Sequence, residues 1–174
     1  MEKKSALDIA NLFVGLSNSL PDSSIDNLKL NKLCYYAQGW ALAKLGEPLF
    51  DEDIQAWNYG PVIPSVYHTY KVCGKNPIGQ ARDVFDENKL PAEELQILID
   101  VYVTYGKYTS YELVQMTHRQ DGPWDQVYQE KQNRIITKDS MRKYFSESSE
   151  LNSFVPHVTE QNTIDYTRLD NAAV

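Results

Sequence analysis

The sequence has little of the side-chain chemistry that builds metal sites and disulfide frameworks. Its 174 residues include only two cysteines, Cys34 and Cys73, and three histidines. The cysteines form no CxxC pair, and the histidines stand at none of the spacings that zinc ligands take. We therefore expect no metal and no other cofactor. Two reduced thiols in a reducing compartment are predicted, the alternative being a disulfide between them.

Long apolar runs are also missing, which argues against a place in or across a membrane. No run approaches the roughly 20 apolar residues that span a bilayer. The N-terminus, MEKKSALDIANLF, has neither the apolar stretch nor the small-residue cleavage site of a secretory signal. The sequence therefore predicts a cytoplasmic protein without a membrane partner.

Positive charge is scarce as well. The formal net charge is −7, and the isoelectric point is about 4.9. Lysine and arginine supply most of the affinity of proteins for phosphates, so this composition disfavours a nucleic-acid partner. An acidic chain is better suited to a basic protein partner, because their potentials are complementary.

No catalytic motif is present. The sequence contains no glycine-rich phosphate loop, no G-x-S-x-G and no H-E-x-x-H. Cys34 lies on the apolar stripe of a predicted helix and is interpreted as a core thiol. His118 stands at the end of another predicted helix, where it can bond the last carbonyl groups or take part in binding. We expect a protein that is not an enzyme; the alternative is a hydrolase or transferase that uses Cys34 or His118.

What the sequence does have is helical periodicity. Apolar residues recur at spacings of three and four, and capping residues such as Thr109 with Glu112 precede several of these stretches. The prediction is a mainly α protein, a compact single-domain bundle of about six to seven helices with at most a small β-element near residues 54–59. The helices are expected at 5–19, 25–45, 64–73, 91–105 and 110–118, with a short one from 123 and a last one at 138–146.

The remaining segments are expected to be irregular. YGPVIP, residues 59–64, contains two prolines and a glycine that disfavour regular structure. Residues 75–90 form a polar connection and are predicted to be a mobile loop. The domain is expected to span residues 1–146. Residues 147–174 are polar and acidic and predict a tail that is disordered or docks on the body or on a partner.

Aromatic residues with polar tips are unusually frequent. The chain has 12 tyrosines and three tryptophans against five phenylalanines. Such side chains suit both interfaces and half-buried positions. The stretch KLCYYAQGWALA, residues 32–43, combines an apolar stripe with tyrosines on other sides. This predicts a helix that is core on one face and whose second face helps to build, or lies under, a contact surface. Gly39 is expected to admit another backbone, from the segment AWNYGPV.

Several motifs in order resemble the Panacea domain family, the SocA-like and phage-associated GepA-like proteins of bacteria and their mobile elements. The resemblance covers roughly residues 5–146. Cys34 departs from it, because leucine is common there, and no fused zinc ribbon or helix-turn-helix module is present. The motifs that carry it are Lys32-Leu33, YYAQGW (35–40), PLF (48–50), AWNYGPV (56–62), PSVYHTY (64–70), VYVTYG (101–106), ELVQMTH (112–118), PW (123–124) and RKYF (142–145).

The resemblance implies an antitoxin of a bacterial or prophage toxin–antitoxin system. Members of this family neutralise a cognate toxin protein, with direct binding as the inferred mechanism, and the domain is regarded as non-enzymatic. The alternative is a proteolytic adaptor that delivers the toxin to a cellular protease. A homodimer is a further alternative.

Seven residues of these motifs are expected to contact the partner, because they combine apolar area with polar tips that a pure core does not need. Trp40 and Tyr70 are expected to be more buried. The seven predicted contact residues are Tyr36, Gln38, Trp57, Tyr59, Tyr67, His118 and Trp124.

Overall fold

The structure is a computed structural model that describes residues 4–149 and Leu151. Most of the predicted acidic tail, residues 152–174, lies outside the described residues. Within them the chain forms six α-helices and one small sheet, as predicted. The elements are α1 (Ala6–Asn18), α2 (Asn27–Lys44), β1 (Ile54–Trp57), β2 (Gly60–Val62), α3 (Pro64–Tyr70), α4 (Ala92–Tyr105), α5 (Ser110–Thr117), β3 (Ile135–Ile136) and α6 (Lys138–Glu147).

Helix α2 is the centre of the fold. All its residues from Lys29 to Leu42 are buried, and it packs against α1, α3, α4, α5, α6 and β2. A helix enclosed in this way needs apolar or well-bonded side chains on every side. The expectation that the second face of α2 helps to build a contact surface is therefore wrong, whereas the alternative, that this face lies under such a surface, agrees with its burial. Gly39 meets α6 instead of the AWNYGPV segment, since a Cβ there would overlap the ring of Phe145.

The tyrosines of α2 belong to an aromatic core. Tyr36 stacks on Tyr105 with ring centroids 3.8 Å apart, and Trp40 meets Tyr105 edge-on at 5.9 Å. Tyr35 and Phe145 form another edge-on pair at 5.6 Å. Stacked and edge-on arrangements are the favoured geometries of aromatic pairs. Trp40 and Tyr70 are buried, as expected.

Local sequence signals set most helix boundaries. The predicted capping box is present at α5, where the side chain of Thr109 accepts from the N–H of Glu112 and Glu112 accepts from the N–H of Thr109. Thr137 caps α6 as predicted. The prediction of a short helix from Pro123 is wrong. That segment has separate turns, and it is followed by Lys131 and Asn133, which take positive φ angles of 61° and 46°.

The sheet is antiparallel with the strand order β2-β1-β3. Trp57 pairs with Gly60 across the turn between β1 and β2, and Ile54 pairs with Ile136 of β3. The prediction that residues 59–64 are irregular is wrong for β2. Pro61 fits there because β2 is an edge strand, where a missing backbone donor leaves no ladder bond unmade.

The described body extends past the predicted boundary at Ser146. Helix α6 continues to Glu147, and Leu151 is buried in the core cluster. In the part of the chain that the structure describes, the helices lack the combination of length and apolar character needed to cross a bilayer.

Candidate protein-binding surface

Five of the seven predicted contact residues lie together around the turn between β1 and β2. We call this region the hairpin surface. At its tip Tyr59 is 64% exposed, an unusual degree for a large aromatic side chain. Asn58 and His68 are also exposed, while Trp57 and Tyr67 are half-buried. The hairpin surface consists of Trp57, Asn58, Tyr59, Tyr67, His68, His118, Trp124 and Tyr128.

One row of this surface joins the hairpin to α3. The rings of Trp57 and Tyr67 meet edge-on at 4.9 Å, and His68 lies 5.4 Å from Tyr67. The indole N–H of Trp57 donates to Oε1 of Gln55 at 2.8 Å, which fixes the orientation of the indole. Pro64 starts α3 directly after β2 and so places Tyr67 beside the strand.

A second row joins the hairpin to the segment after α5. His118 stacks on Trp124 at 3.7 Å, and Trp124 stacks on Tyr128 at 4.3 Å. The indole N–H of Trp124 donates to the carbonyl of Trp57 at 2.8 Å, and the hydroxyl of Tyr128 donates to Oδ1 of Asn58 at 3.0 Å. Trp124 itself is only 7% exposed, so it supports the surface more than it presents one.

The surroundings of His118 lower its pKa and so favour the neutral ring. Burial lowers its pKa, the charge of Lys32 lowers it further, and Asp125 acts in the opposite direction. Its Nε2 is buried and has no hydrogen-bond partner among the described residues. The ring therefore contributes a stacking face to the hairpin surface.

Beneath the hairpin lies the fully buried ammonium group of Lys32. Its Nζ donates to the carbonyl of Pro61 at 3.0 Å. Burial lowers the pKa of Lys32 to about 7, against a smaller opposing effect of Asp26. Gly60 closes over this group with φ +99°. A Cβ at Gly60 would lie 2.7 Å from both Cε of Lys32 and Oγ1 of Thr117, so both conformation and space require glycine.

Two asparagines one helical turn apart complete this support. The side chain of Asn31 accepts from the N–H of Ile63 at 3.0 Å and donates to the carbonyl of Asn27 at 2.9 Å. Asn27 in turn donates to the carbonyl of Tyr67 at 3.0 Å. We name Asn27, Asn31 and Lys32 the polar pillar. The predicted contact residues do not include the polar pillar.

The structure corrects the placement of Tyr36 and Gln38. Tyr36 is 5% exposed and Gln38 is 1% exposed, so neither reaches the surface of the domain. Gln38 donates to the carbonyl of Phe50 and accepts from the N–H of Leu49, each at 2.8 Å. The polar tip of Gln38, which suggested a contact residue, satisfies buried backbone groups instead.

The site offers surfaces for binding and few groups for bond chemistry. Burial raises the pKa of the Cys34 thiol far above its ordinary range, which makes it a poor nucleophile at neutral pH. Both cysteines are free thiols. Residues 4–149 and Leu151 contain no group of three or more His, Cys, Asp or Glu side chains that could hold a metal ion. Absence of enzymatic activity stays a prediction.

Comparison with known proteins gives two matches that agree. A family model described as "Antitoxin SocA-like, Panacea domain" matches residues 30–125, which include seven of the eight hairpin-surface residues and two of the three residues of the polar pillar. Antitoxin SocA from Caulobacter vibrioides (strain NA1000 / CB15N) is 34% identical over 128 residues, or 68% of each chain. No solved structure matches the chain.

Proposed function

Because the chain belongs to the SocA-like antitoxin family of Panacea domains, we propose that it neutralises a cognate toxin by binding it directly at the hairpin surface. The observation that carries this proposal is the gathering of Trp57, Tyr59, Tyr67 and the His118–Trp124 stack around one exposed turn. Aromatic side chains with polar tips are the residues that contribute most to protein–protein affinity.

The rigidity of this surface supports the same proposal. The hairpin is held from below by the polar pillar and from the side by the indole bond of Trp124. A surface fixed before binding loses less conformational entropy when the partner arrives. Tyr59, at the exposed tip, is the side chain best placed to enter a pocket on the toxin.

The test uses the product of the neighbouring reading frame, provided that it is lethal when expressed alone. Tyr59→Ala with Tyr67→Ala should weaken binding by about tenfold or more in a calorimetric titration and restore killing on co-expression. Tyr111→Ala is the matched control, because Tyr111 is 72% exposed but lies outside the hairpin surface. Unchanged affinity in the folded double variant would refute the assigned surface.

Occlusion and delivery to a protease differ in one measurable respect. If the chain occludes the toxin, neutralisation persists in cells that lack their ATP-dependent proteases, and the toxin stays abundant. If it is an adaptor, the toxin disappears only when the protease is present. If neutralisation is lost in the protease-deficient cells while binding is intact, the chain acts by delivering the toxin to a protease and not by occluding it.

A further inference from the structure

A concave surface lies between α1, α4 and residues 81–87, and it shares no residue with the hairpin surface. We call it the α1–α4 groove. It encloses about 660 Å³ and is lined mainly by apolar side chains. Several of these side chains are only partly buried by the described residues, which leaves apolar area open to solvent. They are Leu12, Leu16, Leu20, Phe85, Leu95 and Ile99.

Gly15 lines this groove at an exposed position of α1. It lies inside α1, where glycine weakens a helix relative to alanine. A Cβ added at Gly15 would meet no atom within 4 Å, so packing among the described residues does not require glycine here. Gly39 differs, because Phe145 fills the space above it. Gly15 leaves room for the close approach of a group from outside the domain.

The wall formed by residues 81–87 is held in place at its start. The backbone N–H of Arg82 donates to the hydroxyl of Tyr70 at 2.9 Å, and that hydroxyl bonds Asn11 of α1. Val84 follows and is 99% exposed. An apolar side chain beside an apolar groove adds to the area that a partner can cover.

The charge of the groove selects among occupants. Of the described residues that line it, Asp83 and Glu87 are the charged ones, and both are acidic. The neighbouring Arg82 does not line the groove. We call Asp83 and Glu87 the acidic rim. A second copy of this chain has a net charge of −7 and is therefore repelled by the acidic rim. Residues 152–174 contain three acidic residues and one arginine, so their net charge has the same sign as these two carboxylates.

We infer that the α1–α4 groove binds an apolar segment of the toxin, flanked by at least one lysine or arginine that faces Asp83 and Glu87. This inference rests on the proposed function and adds a second contact to it. The apolar side chains fill the groove over Gly15, and the cation completes the acidic rim. One toxin molecule thereby touches the domain at two places.

The experiment measures toxin affinity for full-length variants by calorimetric titration. Gly15→Leu fills the groove and should weaken binding about tenfold or more, while its melting temperature stays at or above that of the unmodified chain. Gln115→Leu is the matched control, because it places the same side chain on an exposed position of α5 outside the groove. It should leave affinity unchanged.

A charge variant tests the rim independently of helix packing. Asp83→Lys should weaken binding several-fold at low salt, and the difference should shrink as the salt concentration rises. Asp83 is exposed, so this variant keeps the test decisive if Gly15→Leu fails to fold.

The outcomes separate the groove from the hairpin surface. If Gly15→Leu and Asp83→Lys bind as the unmodified chain does, while Tyr59→Ala with Tyr67→Ala weakens binding, the groove inference is overturned and the proposed function stands. A dimer that Gly15→Leu dissociates into monomers would assign the groove to a second copy instead. Tighter binding by a chain ending at Leu151 would assign it to residues 152–174. Absence of binding by the unmodified chain would refute both proposals.

Discussion

Lys32 is the residue that most constrains the site. A buried ammonium group with one backbone partner is costly, and the same helix position would be filled more cheaply by an apolar side chain. Lys32 nevertheless fixes the carbonyl of Pro61 and thereby the return strand of the hairpin. Its role was not evident from periodicity, since polar residues such as Lys29 and Asn31 also occur in α2. Lys32 differs from an ordinary surface lysine because the helix that carries it is buried on all sides.

The stability of the domain should therefore depend on pH through Lys32. The pKa of Lys32 is about 7 in the folded chain against an ordinary 10.5, so between these values the unfolded chain binds a proton that the folded chain does not. The contribution of Lys32 to the free energy of unfolding then rises with pH, by at most about 1.4 kcal/mol per pH unit, and this gain is lost as the pH falls toward 7. Urea denaturation from pH about 7 to about 8, below the ordinary cysteine pKa of about 8.5, measures this slope.

Lys32→Met should flatten that dependence, because methionine keeps much of the length of the side chain without its charge. Lys143→Met, at an exposed position of α6, is the control and should keep the original slope. A slope that is the same in Lys32→Met and the unmodified chain would contradict a lowered pKa at Lys32.

At the scale of elements, the helices were predictable and the strands largely were not. Capping residues such as Thr109 and Thr137 act within three residues, so sequence alone locates the starts of α5 and α6. Strand β3 is two residues long and exists because it pairs with β1, which lies far away in sequence. Such pairing leaves no local pattern. The segment after Pro123 was misassigned for a related reason, since Trp124 is held by the hairpin and not by a continuing helix.

The bond between the indole of Trp124 and the hairpin gives a prediction at this scale. Trp124→Phe keeps a ring to stack on His118 but leaves the carbonyl of Trp57 without its donor, which should cost about 1–3 kcal/mol of unfolding free energy. Amide hydrogen exchange should accelerate between residues 118 and 128. Trp57→Phe is the control, because it loses only a half-buried bond to Gln55. Equal exchange rates in Trp124→Phe and the unmodified chain would show that the bond does not hold this segment.

For the whole molecule, the buried position of Leu151 predicts where the chain can be shortened. A chain ending at Ser146 loses the end of α6 and Leu151, and should be less stable by about 2 kcal/mol or more. A chain ending at Leu151 keeps both features and should melt at a higher temperature than the chain ending at Ser146. If both truncations melt at the same temperature, Leu151 does not contribute to the core. Toxin neutralisation by the chain ending at Leu151 then reports on residues 152–174 separately from folding.

The site as a whole was partly predictable. Trp57, Tyr59, Tyr67, His118 and Trp124 come from motifs distant in sequence, yet the structure places them around one turn. Tyr36 and Gln38 share the same chemistry but lie in the core, because α2 is enclosed on all sides. Residue type alone does not separate a polar tip that bonds a buried carbonyl from one that faces a partner. The α1–α4 groove has no motif in the sequence, since it is formed by side chains that the described structure leaves uncovered.

The central position of α2 also affects how this protein unfolds and is degraded. Since α1, α3, α4, α5, α6 and β2 all pack against it, unfolding α2 disrupts its packing with each of these elements. The amides of α2 should then exchange with solvent only through global unfolding, and the domain should open as one cooperative unit. A protease that must unfold α2 would then meet the full free energy of unfolding. The lifetime of the protein in a cell is thereby tied to its overall stability.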